Sequence, residues 1–437
     1  MREDWTECCF EDLLDYEQPT KYIVKSTKYN DSYKMPVLTA GKTFIKGYTN
    51  ETDGIFDNLP TIIFDDFTTA TQYVNFKFKV KSSAMKILVP TSKLVNMPLV
   101  YYAMQVNQVR SDTHKRYWIS VFAKKKFLLP PFVEQKAIVK KIEELFSNLD
   151  SGISDLKIAQ EKLTIYKQAV LKKAFDGDFT TLFRSQHKIE QNAKDYVIEL
   201  RKTSSKNSNN PISIDSKGWA ECLFDDLLDY EQPTSYIVRS TNYNDTNKTP
   251  VLTAGKTFIK GYTNETDGIF DDLPTIIFDD FTTASQFVNF KFKVKSSAMK
   301  ILVPTSKKVD MSFVYYAMQL NKIRSDTHKR YWISTYSKKT LFIPSLDEQN
   351  QIVREIENRL SVCDKVEESI KESLQKAIAL RHSILKKAFD GKLLSEEEIA
   401  KCQKDKYYEP TSVLLEKIRK EKETKQLKKV TPKKKKK

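Results

Sequence analysis

The polar and basic residues able to do chemistry in this 437-residue chain fall into four short clusters, each suited to gripping a nucleic acid rather than to breaking bonds. Between Thr39 and Asn50, Lys42, Thr43, Lys46 and Tyr48 surround Gly41 and Gly47, whose missing side chains would let backbone approach phosphates. Thr68, Thr69 and Gln72 follow the acidic pair Asp65 and Asp66, and a glutamine amide can hydrogen-bond adenine bidentately in the major groove. Lys77, Lys79, Lys81, Lys86 and Lys93 come with no carboxylate between them. Alternation of the first three places them on one strand face, as a phosphate track requires. Arg110, His114, Lys115 and Arg116 stand beside Tyr117 and Trp118, offering bidentate donors next to aromatic rings. Each cluster has a plainer reading: a solvated lysine face, a simple turn at Thr68 to Gln72, core packing for Tyr117 and Trp118. Asp65 and Asp66 read as a loop or as an acceptor for the amino group of cytosine.

Catalysis is harder to place. Gly41, Lys42 and Thr43 have the form of the end of a phosphate-binding loop, but the glycine required five positions earlier is Pro36. Leu129, Pro130, Pro131 and Phe132 have the outline of an amino-methyltransferase tetrad, yet a leading leucine cannot accept a hydrogen bond from a base's amino group. Nor is there a glycine-rich loop to hold S-adenosylmethionine. The five cysteines are odd in number and lack C-x-x-C spacing, and only four histidines accompany them, so neither disulfides nor a metal is expected. No cofactor follows from these residues.

The elements that must position the clusters occur twice. Trp5 pairs with Trp219, Gly41 with Gly255, His114 with His328 and Pro130 with Pro344, always 214 residues apart. The second set of candidates is therefore Lys256, Thr257, Lys260, Tyr262, Thr282, Thr283, Gln286, Lys291, Lys293, Arg324, His328, Lys329 and Arg330. From Trp5 to Ser120 only 19 of 116 positions differ from Trp219 to Ser334, whereas from Val121 to Gly177 only 20 of 57 match Thr335 to Gly391. Two readers of one short sequence, held by helices with different neighbours, account for both numbers.

Strand-like runs at Pro36 to Thr39, Thr61 to Phe64, Phe76 to Val80 and Lys86 to Val89, then a helical pattern from Met97 to Val109, predict an α/β globular part. Behind it, Glu134 to Phe175 sets apolar residues at three-and-four spacing from Ile138 through Ile142, Leu149, Leu156, Leu163 and Tyr166 to Val170. The second copy runs from Ile352 through Ile356, Leu360, Cys363, Val366, Ile370, Ala377 and Leu380 to Ile384. Each helix would be roughly 60 Å long. So narrow a stripe needs a partner, and the other copy is the nearest one. A polar linker spans Ser185 to Gly218, with a short helix near Ile189 to Leu200. The formal charge is +16, of which a surplus of ten lies between Lys401 and Lys437; Lys433 to Lys437 read as a solvated tail. No run of eighteen apolar residues occurs and the first ten residues are charged, so a cytoplasmic protein without membrane contact is expected.

Two stretches carry a resemblance. Leu129 to Glu143, holding Pro130, Glu134 and Gln135, and then Val170 to Gly177, ending Ala174, Phe175, Asp176, Gly177, resemble the helical region of type I restriction-modification specificity subunits. Ile343 to Val353 and Leu385 to Leu393 repeat the pattern, with Ser345 where the first copy has Pro131, and Glu409 to Arg419 resembles that family's C-terminal element. The resemblance implies an α+β protein: two near-identical α/β target-recognition domains joined by two long antiparallel helices in a coiled-coil spacer. Its expected division is 1–131 and 218–345 for recognition, 132–180 and 346–394 for the spacers, 181–217 for a short helix and linker, and 395–437 for a docking segment and basic tail. It further implies a non-catalytic subunit whose partners are double-stranded DNA, two methyltransferase subunits and, where the system has them, restriction or translocase subunits. Arg116 and Arg330 are expected as equivalent contacts. A stand-alone DNA-modifying enzyme and a coiled-coil or RNA-binding adaptor are the competing readings.

Overall fold

The computed structural model describes residues 2–39, 41, 43–109, 116–187, 191–203, 210–253, 257–323 and 330–430. They form two compact units, Met1–Leu156 with Glu372–Lys437, and Lys157–Lys371.

In the first unit the strands Thr6–Cys9 and Lys126–Leu129 pair antiparallel and bring the two ends of the globular part together. Between them runs a four-stranded antiparallel sheet in the order Leu14–Glu17, Met85–Pro90, Thr61–Asp65, Thr71–Val74. Successive side chains of a strand point to opposite faces, and here both faces are buried. Ile62, Phe64 and Leu88 pack toward the helix Met97–Val106, while Ile63, Ile87 and Val89 pack toward Leu38, Phe56, Phe78 and Val80. That second layer is a three-stranded sheet ordered Ile45–Thr49, Met35–Leu38, Lys79–Val80. The helix starts where Asn96 caps it, its Oδ1 accepting from Leu99 N, with Pro98 in the first turn where no amide is needed.

The second unit repeats this plan: Ala220–Leu223 pairs with Thr340–Ile343, and the sheets are Leu228–Glu231, Met299–Pro304, Thr275–Asp279, Ser285–Val288 and Ile259–Thr263, Thr249–Leu252, Lys293–Val294.

Both long helices are continuous, Phe132–Phe175 and Leu346–Phe389. In the first unit the start of one packs on the end of the other, Ile138 and Ile142 sharing a core with Ile384, Leu385 and Ala388. In the second unit the ends exchange roles, Leu171 and Ala174 meeting Ile352 and Ile356. The pairing is therefore antiparallel. The motif residues explain the helix ends. Gln135 Nε2 donates to Pro130 O at 2.8 Å and Gln349 Nε2 to Pro344 O at 2.9 Å, tying each helix start to the strand before it. The exchange of Pro131 for Ser345 changes nothing here, since both carbonyls accept the amide four residues on, at 2.9 Å. Gly177 and Gly391, at φ +77° and +72°, close the helices in a left-handed conformation that only glycine adopts freely.

Two expectations are corrected. The run Phe76 to Val80 is not one alternating strand: Phe78 bridges Phe56, and only Lys79 and Val80 join a ladder, parallel to Val37 and Leu38. On the long helices Tyr166, Val366 and Leu380 stand 48%, 43% and 51% exposed, off the seam. After Leu163 and Ala377 the seam steps by four residues to Lys167 and Arg381, whose cations reach carboxylates of the other helix: Asp364 at 2.8 Å and Glu367 at 2.6 Å for Lys167, Asp150 for Arg381. Burial works against the charge of Lys167, but its hydrogen bonds to these two carboxylates prevail and raise its pKa.

Candidate nucleic-acid interface

The turn after Thr61–Asp65 is the rigid centre of the candidate surface. Asp65 Oδ1 accepts from the amides of Phe67 and Thr68, both at 2.9 Å, so this carboxylate closes its own turn. Thr69 sits at φ +60°, buried, and its hydroxyl donates to Val109 O at 2.9 Å. Asp66 is also buried. Its backbone carbonyl accepts from Tyr117 N at 2.9 Å and its Oδ1 from Trp118 N at 2.8 Å. One turn thus holds both ends of the segment that leaves after Val109 and returns at Arg116. Thr283, Asp280 and Trp332 repeat the arrangement, with bonds of 2.8 Å to Ile323 O and 2.8 Å to Asp280 Oδ1. Beneath it, Lys86 is buried 3.9 Å from Asp66 and 4.7 Å from the ring of Tyr16. Burial lowers its pKa, the charge of Asp66 opposes that shift, and the charge of Arg116 adds to it; Lys300 behaves alike.

The predicted contacts divide accordingly. Thr68 and Arg116 are exposed around this turn, as are Thr282 and Arg330. Gln72 and Gln286 are half-buried on the edge strands Thr71–Val74 and Ser285–Val288. A second group gathers Thr43, Lys46, Tyr48 and Lys77, where Phe44 meets Phe76 edge-on at 6.2 Å. Thr43, Lys46 and Lys77 are exposed and Tyr48 is half-buried, as are their counterparts Thr257, Lys260, Lys291 and Tyr262. Lys77 lies 3.9 Å from Asp57 and Lys291 3.3 Å from Asp271, both pairs open to solvent and so worth little to stability. Lys42, Arg110, His114, Lys115, Lys256, Arg324, His328 and Lys329 lie outside the described residues.

Five candidates belong to the interior instead, the buried Lys86 described above among them. Lys79 and Lys293 are buried, because the break after Phe78 turns them inward. Lys79 Nζ donates to Asp53 O at 2.7 Å and pairs with Glu51 at 3.2 Å, and Lys293 Nζ donates to Asp267 O at 2.6 Å and pairs with Glu265 at 3.2 Å. The lysine track is thus broken at its middle. Thr69 and Thr283 have their hydroxyls committed to backbone, as above. Gly47 has a structural reason too: a Cβ there would come within 2.6 Å of Tyr29, which packs on its backbone, so this glycine does not clear a path for phosphate. Tyr117 and Trp118 are core, Trp118 standing edge-on to Phe64.

Sequence reasoning passed over the residue just beyond. Ile119 is 57% exposed and Ile333 54%, each between a buried tryptophan and a second buried ring. The available signal was the stretch Arg110 to Ser120, identical at all eleven positions to Arg324 to Ser334.

Residues 2–157 match the family model for the type I restriction modification DNA specificity domain. The second copy repeats residues 5–120 of that region with 19 differences, 214 residues on. Over residues 2–157 the chain is similar to the type I restriction modification DNA specificity domain. The EcoR124I/EcoR124II specificity subunit of Escherichia coli is 49% identical over 174 residues, a match covering 37% of this chain and 43% of that protein. The chain thus aligns with less than half the length of that relative. The EcoDI specificity subunit of Escherichia coli is 25% identical over 317 residues, 67% of this chain and 68% of that one. Among solved structures, a chain from work on complex assembly and conformational transition of the type I R-M system shares the fold, with a TM-score of 0.61 at 12% identity. The match spans 90% of this chain and 99% of that one. The duplicated unit, the antiparallel helices and the proline, Glu134 and Gln135 motif are the features on which the resemblance rests, and the fold of that solved chain accommodates the first two. Among the described residues, no helix is long and apolar enough to cross a membrane.

Proposed function

We propose that this chain is the DNA-reading subunit of a type I restriction-modification complex and supplies no catalysis of its own. Residues 1–131 and 218–345 each read a few base pairs. The spacers 132–180 and 346–394 set the unread gap, and 181–217 and 395–437 complete the framework. Thr43, Lys46, Tyr48, Thr68, Gln72, Lys77 and Arg116 and their counterparts face the duplex, joined by Lys42, Arg110, His114 and Lys115 and theirs. Two methyltransferase subunits, with restriction subunits where the system has them, would do the chemistry. The observation that carries this reading is the duplication of the globular part of a specificity domain, with only 19 of 116 positions changed. Nearly identical readers on antiparallel supports favour an inverted repeat with a gap, as symmetric dimers match symmetric operators.

Methylome sequencing of a host with and without this gene tests the reading. One bipartite, inverted-repeat methylated motif should vanish on deletion. A motif with unrelated halves would overturn the twofold reading, and a methylome unchanged by deletion would overturn DNA recognition itself.

A further inference from the structure

The turn Trp118–Phe122 is π-helical, with Ala123 N donating to Trp118 O at 2.9 Å, and Trp332–Tyr336 repeats it with Ser337 N on Trp332 O at 2.9 Å. Such widened turns recur at functional sites. The anchors Trp118 and Phe122 are buried, while Ile119 between them is 57% and Val121 39% exposed. A single exposed isoleucine on a protein surface is ordinary; its setting is what distinguishes this one. It projects from a turn fixed twice to Asp66, and Ser120 Oγ donates to Arg116 O at 2.6 Å across its base. Arg116 is exposed beside it. The second copy keeps the isoleucine as exposed Ile333, while the position two residues on changes from Val121 to Thr335 and the buried ring from Phe122 to Tyr336.

An apolar tip beside an exposed arginine, on a rigid mount, fits a surface that is polyanionic outside and carries an apolar group within. In the major groove that group is the 5-methyl of thymine. We propose that Ile119 and Ile333 are specificity-determining residues that pack on a thymine methyl, one in each half of the target. This rests on the DNA-reading function proposed above. A methyltransferase surface is the competing occupant. The exposed Arg116 beside the tip, and the place of the isoleucine inside the near-identical stretch that ends at Ser120, ahead of the divergent long helices, favour DNA.

The test uses the full chain with its methyltransferase subunits and a duplex bearing the methylome-derived motif, each thymine replaced in turn by deoxyuridine, which pairs alike but lacks the methyl. For the unaltered protein, one replacement per half-site should weaken binding about fourfold, the worth of one buried methyl. The Ile119→Ala, Ile333→Ala variant should bind the thymine duplex more weakly by a similar factor per half-site and be indifferent to that replacement. Uniform insensitivity of the unaltered protein to deoxyuridine, a motif without thymine, or a variant still sensitive to the methyl would overturn the proposal. So would a variant whose loss lies in methyltransferase binding, measured by co-purification. If the unaltered complex fails to prefer its motif over a scrambled duplex, the DNA-reading function fails instead, whatever the isoleucines do.

Discussion

The two units solve the same structural problem with unrelated stretches of chain. In the second unit the helix Ala193–Thr203 buries Tyr196, Val197 and Leu200 and sends Arg201 to Asp226 at 3.0 Å. In the first, the helix Thr411–Val430 buries Leu414, Leu415 and Ile418 and sends Arg419 to Asp12 at 3.2 Å. Asp12 and Asp226 are counterparts 214 residues apart, so the inter-repeat linker and the C-terminal segment are one cap supplied from two places. The clamp at the start of each long helix shows the same economy. Glu134 accepts from Trp5 Nε1 at 2.9 Å and Arg2 at 2.8 Å, all near the N-terminus. Glu348 accepts from Trp219 Nε1 at 3.2 Å, Thr180 at 2.6 Å and an arginine, Arg184 at 2.6 Å, that follows the other long helix. What persists is the acceptor and its geometry; where the cation comes from in the sequence does not matter.

The largest effect should come from breaking that clamp. Both carboxylates are buried, and removing one strands an indole N–H and takes the ion-pair partner from a part-buried arginine, at about 3 kcal/mol or more. Glu134→Ala should therefore lower the denaturant midpoint of the first unit and Glu348→Ala that of the second by a similar amount, as read by tryptophan fluorescence. Equality would support the equivalence of the two cations; a cost confined to one variant would show that only one clamp bears the strain of its unit.

The caps come next. Leu200→Ala and Ile418→Ala each empty a fully buried site, and such truncations cost about 2–5 kcal/mol. The two should match within about 1 kcal/mol in urea titrations if the caps are equivalent. A negligible cost at Ile418 would make the C-terminal helix an appendage of the first unit.

Much of this was legible beforehand. The repeat, the long antiparallel helices and the family resemblance follow from the offset of 214 and from Pro130, Glu134, Gln135 and Gly177. What remained hidden was burial within strands and the identity of the caps. Lys79 shares parity with Lys77 and Lys81, and only the tertiary break at Phe78 turns it inward. Arg201 and Arg419 align at an offset of 218 in stretches with little else in common, so no repeat search at 214 pairs them. Thr69 looks like a reading residue until its left-handed backbone and its bond to Val109 are seen. Composition marks where cations are plentiful, while the inward or outward turn of each one is decided by contacts distant in sequence.

The smallest effect concerns the long helices, where the two cross-helix ion pairs differ in chemistry. Arg381 meets Asp150 and lies 4.3 Å over the ring of Phe146, whereas Lys167 shares Asp364 and Glu367. Asp150 is 61% and Asp364 69% exposed, so solvent screens both attractions, and exposed pairs contribute about 1 kcal/mol at most. Asp150→Ala and Asp364→Ala should each shift stability by no more than that, and the shift should shrink further in about 1 M salt. Asp364→Ala should cost less of the two, because Glu367 still receives the ammonium, while Asp150→Ala leaves Arg381 only its aromatic neighbour. The reverse order would mean that the ring of Phe146, not the carboxylate, holds Arg381 in the seam, and Phe146→Leu would then be the more damaging change.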